Sequence, residues 1–449
     1  MDRRLRWALA AALLCGACGP ARADLFTQET LTGNWGGARA ALAGDGVTLG
    51  ADEIFDALGN PAGGRKQGAA FEGRFEAFAT VDLGTALGWQ GTILHANAYQ
   101  IHGHGLSADD VGNLLTVGNI AATPATRLFD LWIQQSLFDD TVSVRLGQIA
   151  ADDEFFISQY ATLFLNSAFG WPSILGVNLP SGGPAYPLAT PGVRVRVALS
   201  PDWIVTAGLF NGDAAPGGSG DPQARDASGT AFRLDGGAFL IGEAAYAASL
   251  AMGGDTLPGT YKLGLWYHDG SFADQRRDET GLSLADPLSD GMPALHRGDF
   301  GLYGIADQLL WRKSGMGDQG LGAFLRLSAT PADRNLIAFH ADGGFSFAGP
   351  FPARGNDTLG IAISYDEVGA SRRALIGDLA RTKGLALPPA GFESALELSY
   401  QAVLAPWWIV QPDMQLVLDP GAHLQSIAAP SAAVPSDALV LGLRTAVSF

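Results

Sequence analysis

Apolar and polar side chains alternate with a period of two along most of this sequence. Phe71, Phe75 and Ala77 fall on one side of an extended segment, with Glu72, Arg74 and Glu76 on the other. Val193, Val195 and Val197 separate in the same way from Arg194 and Arg196. Near the C-terminus Leu396, Leu398, Tyr400 and Ala402 oppose Glu397, Ser399 and Gln401, and Leu439, Leu441 and Leu443 oppose Gly442 and Arg444. That period belongs to strands with two unlike faces. Amphipathic helical stretches are few, the clearest being Trp35 to Ala43, stopped by Gly44. Beyond the N-terminus no apolar run reaches the roughly 18 residues a membrane helix needs. With 47% hydrophobic residues the chain is too apolar to be disordered. Its 45 acidic against 28 basic residues argue against a nucleic-acid partner.

The connections alternate as well. Short ones fall at Asp139-Asp140, Ser200-Pro201-Asp202 and Ala405-Pro406. Long stretches rich in Gly, Pro and Asp run from Asn211 to Gly229, Asp269 to Asp299, Asp366 to Gly391 and Asp419 to Asp437. Tight turns at one rim and long loops at the other are the pattern of an outer-membrane barrel. Energetics assign the faces. An arginine on the lipid side costs roughly 2–4 kcal/mol at the bilayer midplane, against a typical total stability of ~5–15 kcal/mol. Arg194 and Arg196 therefore turn inward, and their valine neighbours meet hydrocarbon. An open strand edge cannot be satisfied in lipid, so the sheet must close. A spanning strand takes about 9–11 residues, and about sixteen strands, the size that leaves an aqueous channel, use the chain at about 27 residues each. The expected fold is an all-β transmembrane antiparallel β-barrel of about sixteen strands, with short helical segments in the N-terminal part and in loops folded inward.

The N-terminus reads as an export signal. Arg3, Arg4 and Arg6 precede an apolar stretch from Trp7 to Ala17, and Ala21-Arg22-Ala23 supplies the small residues of a cleavage site. Cleavage there removes residues 1–23 and with them Cys15 and Cys18, the two cysteines of the chain. Residues 24–46 then form a periplasmic, plug-like segment with a short helix, and residues 47–449 the barrel. Phe449 closes a final alternating strand, which is the expected recognition point for the barrel-insertion machinery.

Several motifs are similar to those of one family. Leu31-Thr32-Gly33-Asn34-Trp35-Gly36-Gly37-Ala38-Arg39 resembles the opening signature of the carbohydrate-selective porins of the OprB type. The resemblance continues through Gly88-Trp89-Gln90-Gly91, Val144-Arg145-Leu146-Gly147-Gln148, Phe164-Leu165-Asn166-Ser167, Tyr186-Pro187 and Phe210-Asn211-Gly212-Asp213. It ends on Gln411-Pro412-Asp413, Asp419-Pro420-Gly421 and Leu441-Gly442-Leu443-Arg444. It implies a Gram-negative outer-membrane channel that passes sugars, glucose among them, by diffusion into the periplasm, with inward loops narrowing the lumen. The number of chains stays open between monomer and trimer.

Sugars are neutral polyols with apolar C–H faces. A channel that selects them needs planar donors, acceptors and aromatic surfaces close together, and it must bind weakly enough to release. The candidate lining residues are Glu72, Arg74, Glu76, Arg145, Arg194 and Arg196. The segment Asp152 to Trp171 is too irregular for a strand and reads as a loop folded into the barrel, where Phe155, Tyr160 and Asn166 are further candidates. Trp407-Trp408 fits the interfacial girdle better than a site. His102-Gly103-His104 with Asp109-Asp110 offers two possible metal ligands, but a chance loop cluster is the better reading. The remaining histidines are scattered and no Gly-x-Ser-x-Gly turn occurs, so neither an enzyme nor a cofactor is expected. The competing function is a general porin whose acidic excess favours cations and which lacks a sugar site.

Overall fold

The computed structural model describes residues 25–313, 319–384, 391–424 and 434–449. The export signal and both cysteines lie outside the described residues. The strands are β1 (Val47–Gly64), β2 (Gly68–Asp82), β3 (Thr92–Gly103), β4 (Ala125–Leu137), β5 (Val142–Ile149), β6 (Thr190–Ala198), β7 (Trp203–Asn211) and β8 (Ala238–Met252). They continue as β9 (Asp255–Asp278), β10 (Pro293–Arg312), β11 (Gly320–Ala329), β12 (Ile337–Ala348), β13 (Thr358–Val368), β14 (Phe392–Ala405), β15 (Trp408–Leu418) and β16 (Ser436–Ser448). Each pairs antiparallel with its neighbours in sequence, and β16 returns to β1 in a register running from Asp52↔Ser448 to Gly64↔Ser436. The result is a closed sixteen-stranded barrel.

The alternation read from the sequence maps onto the two faces of this wall. On β13, Ile361 and Ile363 are exposed on the outside while Gly360, Ala362 and Ser364 are buried inside. On β6, Arg194 points inward and is buried, and Val195 is exposed. A ring of exposed Leu, Ile and Phe residues, Leu263, Leu265, Phe345 and Leu443 among them, would be costly in water. It is the ordinary surface of a barrel whose solvent is hydrocarbon.

The turns at 138–141, 199–202, 253–254 and 406–407 lie at one rim. The opposite rim carries the long connections 104–124, 150–189, 212–237 and 369–391. One expected loop, Asp269 to Asp299, is mostly strand, because β9 and β10 run on as a ribbon to Asp278 and from Pro293. Outside the hydrocarbon, charges can face either way without penalty, so the ladder persists where the two-residue pattern fades. The ribbon is tied by its charges: His296 Nε2 lies 2.8 Å from Asp274 Oδ2, and Arg276 Nε donates to Asp378 Oδ2 at 2.8 Å.

Residues 25–46 sit at the short-turn rim. Leu31 N–H donates to Ser448 O at 2.8 Å, Arg39 Nη2 to Phe449 O at 2.7 Å, and Trp407 Nε1 to Leu25 O at 2.7 Å. None of these N-terminal side chains is buried, so the segment staples the rim where β1 meets β16 rather than filling the lumen. The helix expected from Trp35 is α-helical only over Ala38–Gly44. Gly36 and Gly37 hold positive φ angles of 68° and 103°, which break its first turn into a 3₁₀ segment.

Two predictions follow from these faces. Ile363→Arg, on the lipid side of β13, is expected to lower folding stability in vesicles by roughly 2–4 kcal/mol; a neutral result in denaturant titration would reverse the assignment of faces. The helix Ala370–Lys383 is docked through Asp378, which accepts from Arg276, Ser283 and Arg381. Burial alone would raise this carboxyl, but the hydrogen bonds from Arg276 and Ser283 outweigh it and hold the group below its ordinary value. A carboxyl lowered on folding stabilises above its unfolded pKa of about 4 and loses that contribution as pH falls through the folded value. Pepsin cleavage around Leu375 and Leu379 is therefore expected to begin only well below about pH 4, whereas Asp378→Asn shows it at every pH where pepsin acts.

Candidate functional site

Inside the barrel polar and charged side chains share the inward face with an apolar cluster on β7–β10 that includes Phe210, Phe239, Trp266 and Tyr303, and the connection 150–189 crosses it. This loop has little regular structure of its own beyond single turns at Ala161–Leu163, Ser167–Phe169, Ser173–Gly176 and Pro180–Gly182. Its backbone polar groups must find partners in the wall, and carboxylates supply many of them. Leu165 and Asn166 N–H donate to the two oxygens of Glu397 on β14 at 2.6 and 2.9 Å. Gln159 N–H donates to Asp307 on β10 at 3.1 Å, and Phe156 N–H to Glu243 on β8 at 3.3 Å. Ser158 and Ser173 hydroxyls bond Asp307 and Asp366.

The carbonyl side of the same loop is held by one arginine. Arg326 on β11 is fully buried and donates to Asp342 Oδ1 and Oδ2. Its remaining donors reach the carbonyls of Phe156 (3.0 Å), Gly170 (2.9 Å) and Ala168 (2.8 Å). His340, also fully buried, lies between Asp342 and Asp366 at 2.9 and 2.7 Å. The loop is thus latched against β8–β15.

A second inward connection, 104–124, comes from the opposite wall and meets the first. Tyr186 OH donates to Ile120 O at 2.8 Å, and Ser167 N–H to Thr116 O at 2.9 Å. Gly118 passes so close to the buried carboxylates of Glu72 and Asp56 that a Cβ there would lie 2.0 Å from Glu72 Oε1.

Between the two loops and the strands β16, β1, β2, β3 and β4 lies a cavity of about 680 Å³. Its wall combines Arg74, Arg444, Asp152 and Asp153 with Tyr99, Tyr186 and Trp171. The Arg74 guanidinium sits 4.7 Å over the Tyr99 ring and 5.5 Å from Tyr186. Its only charged neighbour within ion-pair reach among the described residues is Glu76, at 3.7 Å. Arg444 forms a two-pronged pair with Asp56, 2.7 Å on each arm, and donates to Asn119 Oδ1 at 2.7 Å. Burial raises the carboxyls of Asp152 and Asp153 on the loop, and Asp152, with the charge of Asp153 adding to its burial, reaches about 7.

The residues singled out from the sequence take unequal places. Arg74 borders the main cavity, with Glu76 beside it accepting from Asn97 at 2.8 Å. Glu72 is buried behind it. Arg145 and Arg194 tie wall to loop: both pair with Glu154 Oε1, at 3.0 and 2.9 Å, and both donate to Gln134 Oε1. Arg145 also stacks on Trp132 at 3.8 Å. Arg196, one residue pair nearer the short-turn mouth, is partly exposed and has no side-chain hydrogen bond among the described residues.

Phe155 and Asn166 are 1% and 2% exposed. Phe155 packs against Phe210 in the core between loop and wall, and Asn166 donates to Gln415 at 3.0 Å. Both therefore position the loop and offer no surface to a passing solute. Tyr160 lies apart from the main cavity, on the short-turn side of the loop. His102 is on β3, its Nε2 3.9 Å from Glu53, while Asp110 pairs with Lys66 at 3.5 Å. No group of three or more His, Cys, Asp or Glu able to hold a metal ion occurs among the described residues.

Sequence reasoning passed over Arg444, Asn119 and Tyr99 as lining residues, and Asp56 as the buried partner of Arg444. For Arg444 the signal was present, since it occupies the polar side of the Leu441/Leu443 alternation just as Arg194 does among its valines. Asn119 carries no local signal. It reaches Arg444 only because its loop folds inward.

A closed barrel with an apolar belt outside, a charged lumen inside and two loops narrowing that lumen is an outer-membrane porin. A family model described as the carbohydrate-selective porin, OprB family, matches residues 66–449. Porin B of Pseudomonas aeruginosa is 26% identical over 441 residues, covering 92% of each chain. The putative porin QuiX of Acinetobacter baylyi is 24% identical over 454 residues, 95% of each. In the solved structure of Pseudomonas putida OprB at high pH the same fold superposes with a TM-score of 0.82 at 24% identity, covering 96% of this chain and 100% of that one. The chain belongs to the OprB family of carbohydrate-selective porins, and is a sugar-selective channel of the Gram-negative outer membrane.

The latch carries a prediction. Arg326→Ala leaves Asp342 buried beside His340 and frees three loop carbonyls, and loss of one partner of a buried pair costs about 3–5 kcal/mol. The variant is expected to show larger single-channel conductance and to lose discrimination between mono- and disaccharides in liposome swelling. Wild-type conductance and selectivity would show that the loop is held without this residue.

Proposed function

We propose that the cavity between the two inward loops is the station at which the channel handles neutral monosaccharides such as glucose. The observation that carries the reading is Arg74. It is oriented by two tyrosine rings and keeps most of its donors for a ligand. A guanidinium presents several donors in a fixed plane, which suits adjacent hydroxyls, while Asp152 and Asp153 are nearby acceptors. Trp171 and Tyr186 offer ring faces for the C–H side of a pyranose. The volume falls within the roughly 300–1,000 Å³ of small-molecule sites. Transport needs affinity near the millimolar scale, about −4 kcal/mol, so that each sugar leaves as readily as it enters.

Arg74→Ala tests this. Removing hydrogen bonds from a charged donor is worth about 1.5–3 kcal/mol, so glucose binding read from current fluctuations in a planar bilayer is expected to weaken about tenfold or more. Glucose entry in liposome swelling should lose its advantage over size-matched neutral solutes. Unchanged glucose binding would show that the sugar station does not lie at this place.

A further inference from the structure

The latched loop leaves a second, smaller space on its other side. A cavity of about 200 Å³ lies toward the short-turn rim, inside the strands β10–β14. Its polar wall comes from Gln159, Tyr160 and Thr162 of the loop and from Ser346, Thr358 and Gln401 of β12, β13 and β14. All three strand residues lie on the inward side of their strands, two positions on from residues such as Gly344, Gly360 and Ser399. None of the described lining residues is charged. The main cavity, by contrast, carries two arginines and two aspartates.

Thr162 donates its hydroxyl to Gln159 O at 3.0 Å, and four of the other polar side chains make no described hydrogen bond. The side-chain amides of Gln159 and Gln401 and the hydroxyls of Ser346 and Thr358 donate to and accept from no described protein group, although carboxylates and amides elsewhere in the lumen are tied repeatedly to the loop. Tyr160 supplies a ring whose place is set by a missing side chain. A Cβ at Gly322 would lie 2.1 Å from its Cε1, so the ring rests on bare backbone. Leu163 and Leu309, both buried, close the wall beside it.

We infer that this space is a second sugar station, an uncharged one on the periplasmic side of the constriction, taking one pyranose ring of a neutral sugar. The two amides and the hydroxyls of Ser346 and Thr358 match a polyol that both donates and accepts. A tyrosine face matches its C–H side. With no charge among the described wall residues, an ion gains nothing from them by entering, so the station separates neutral sugars from anions that the arginines of the first chamber also attract. The volume lies below the range for drug-sized ligands, which limits occupancy to a single ring. Two weak sites in series let a solute leave one before it is held by the next. The inference rests on the channel passing sugars and is independent of which residues form the first station.

The test adds glucose to one side of a planar bilayer holding the full channel and reads current fluctuations in KCl. Gln159→Leu and Gln401→Leu, together, keep side-chain bulk and the net charge. They are expected to lower the glucose association constant measured from the periplasmic side about fivefold or more, with sugar-free conductance at the wild-type value as the sign of an intact barrel. Gly322→Ala, which displaces Tyr160, is expected to act in the same direction. A periplasmic-side constant unchanged in both variants overturns the second station. Arg74→Ala is the control for the first: an effect of the glutamine pair without an effect of Arg74→Ala upholds this station while the first assignment fails, and the reverse result overturns this one alone.

Discussion

Hydrocarbon offers a backbone amide no partner, and the rest of this structure depends on that. Each unsatisfied amide in the bilayer costs several kcal/mol, so the sheet has no tolerable edge and β16 must find β1. The register Asp52↔Ser448 to Gly64↔Ser436 closes it. Closure then divides every strand into an outside and an inside, and the two-residue period is imposed on the sequence from one end to the other. The same closure explains how a chain with no membrane-spanning helix among its described residues crosses a membrane: its apolar residues are spread over alternate positions of sixteen strands.

The inward face creates a second problem, which the inward loop solves. Asp307, Asp342, Asp366, Glu243 and Glu397 are all buried on the lumen side, and buried carboxylates need donors. An irregular loop inside a barrel has the complementary need, because its amides have no ladder to join. Each side satisfies the other: Leu165 and Asn166 donate to Glu397, Gln159 to Asp307, and Arg326 joins Asp342 to three loop carbonyls. The loop's path is therefore written mostly in the wall. This accounts for the fate of its aromatic residues, which fill the gap between loop and strands: Phe156 lies 4.4 Å from Tyr303 with the rings tilted, and Phe164 lies 5.0 Å from Phe169.

What could be read in the chain follows the same division. The faces of Phe71 to Ala77, Val193 to Val197 and Leu396 to Ala402 were legible because period two is local and lipid punishes a wrong face. The ribbon beyond Asp269 was not, since outside the bilayer that punishment stops and a strand loses its pattern without losing its hydrogen bonds. The cavity wall was legible only in part. Arg74 and Arg194 look alike in sequence, each alternating with apolar neighbours. One borders the cavity, and the other is 3% exposed because Glu154 of the loop reaches it at 2.9 Å. That difference comes from a contact forty residues away in the chain, and Arg444 meets Asp56 across 388. No local pattern carries separations of that size.

The choice of arginine over lysine inside the lumen can be understood from the same contacts. The chain has four lysines, and the inward one at Lys262 uses its ammonium on Glu243 and on the carbonyl of Ile157. A point charge so engaged has little left for a solute. Arginine carries five N–H donors in one plane, so it can be fixed and still have donors to give. Arg444 shows this directly: Nε and Nη2 hold Asp56 and Asn119, while Nη1 makes no described hydrogen bond and the side chain borders the cavity. A channel must keep its recognition groups rigid, or each passage pays their ordering entropy again, and it must keep them partly unsatisfied, or they have nothing to offer. A multi-donor planar cation anchored by some of its bonds meets both demands, which a freely rotating ammonium cannot. In a lumen where carboxylates are already needed to hold the loop, arginine is the cation that can balance them and still face the solute.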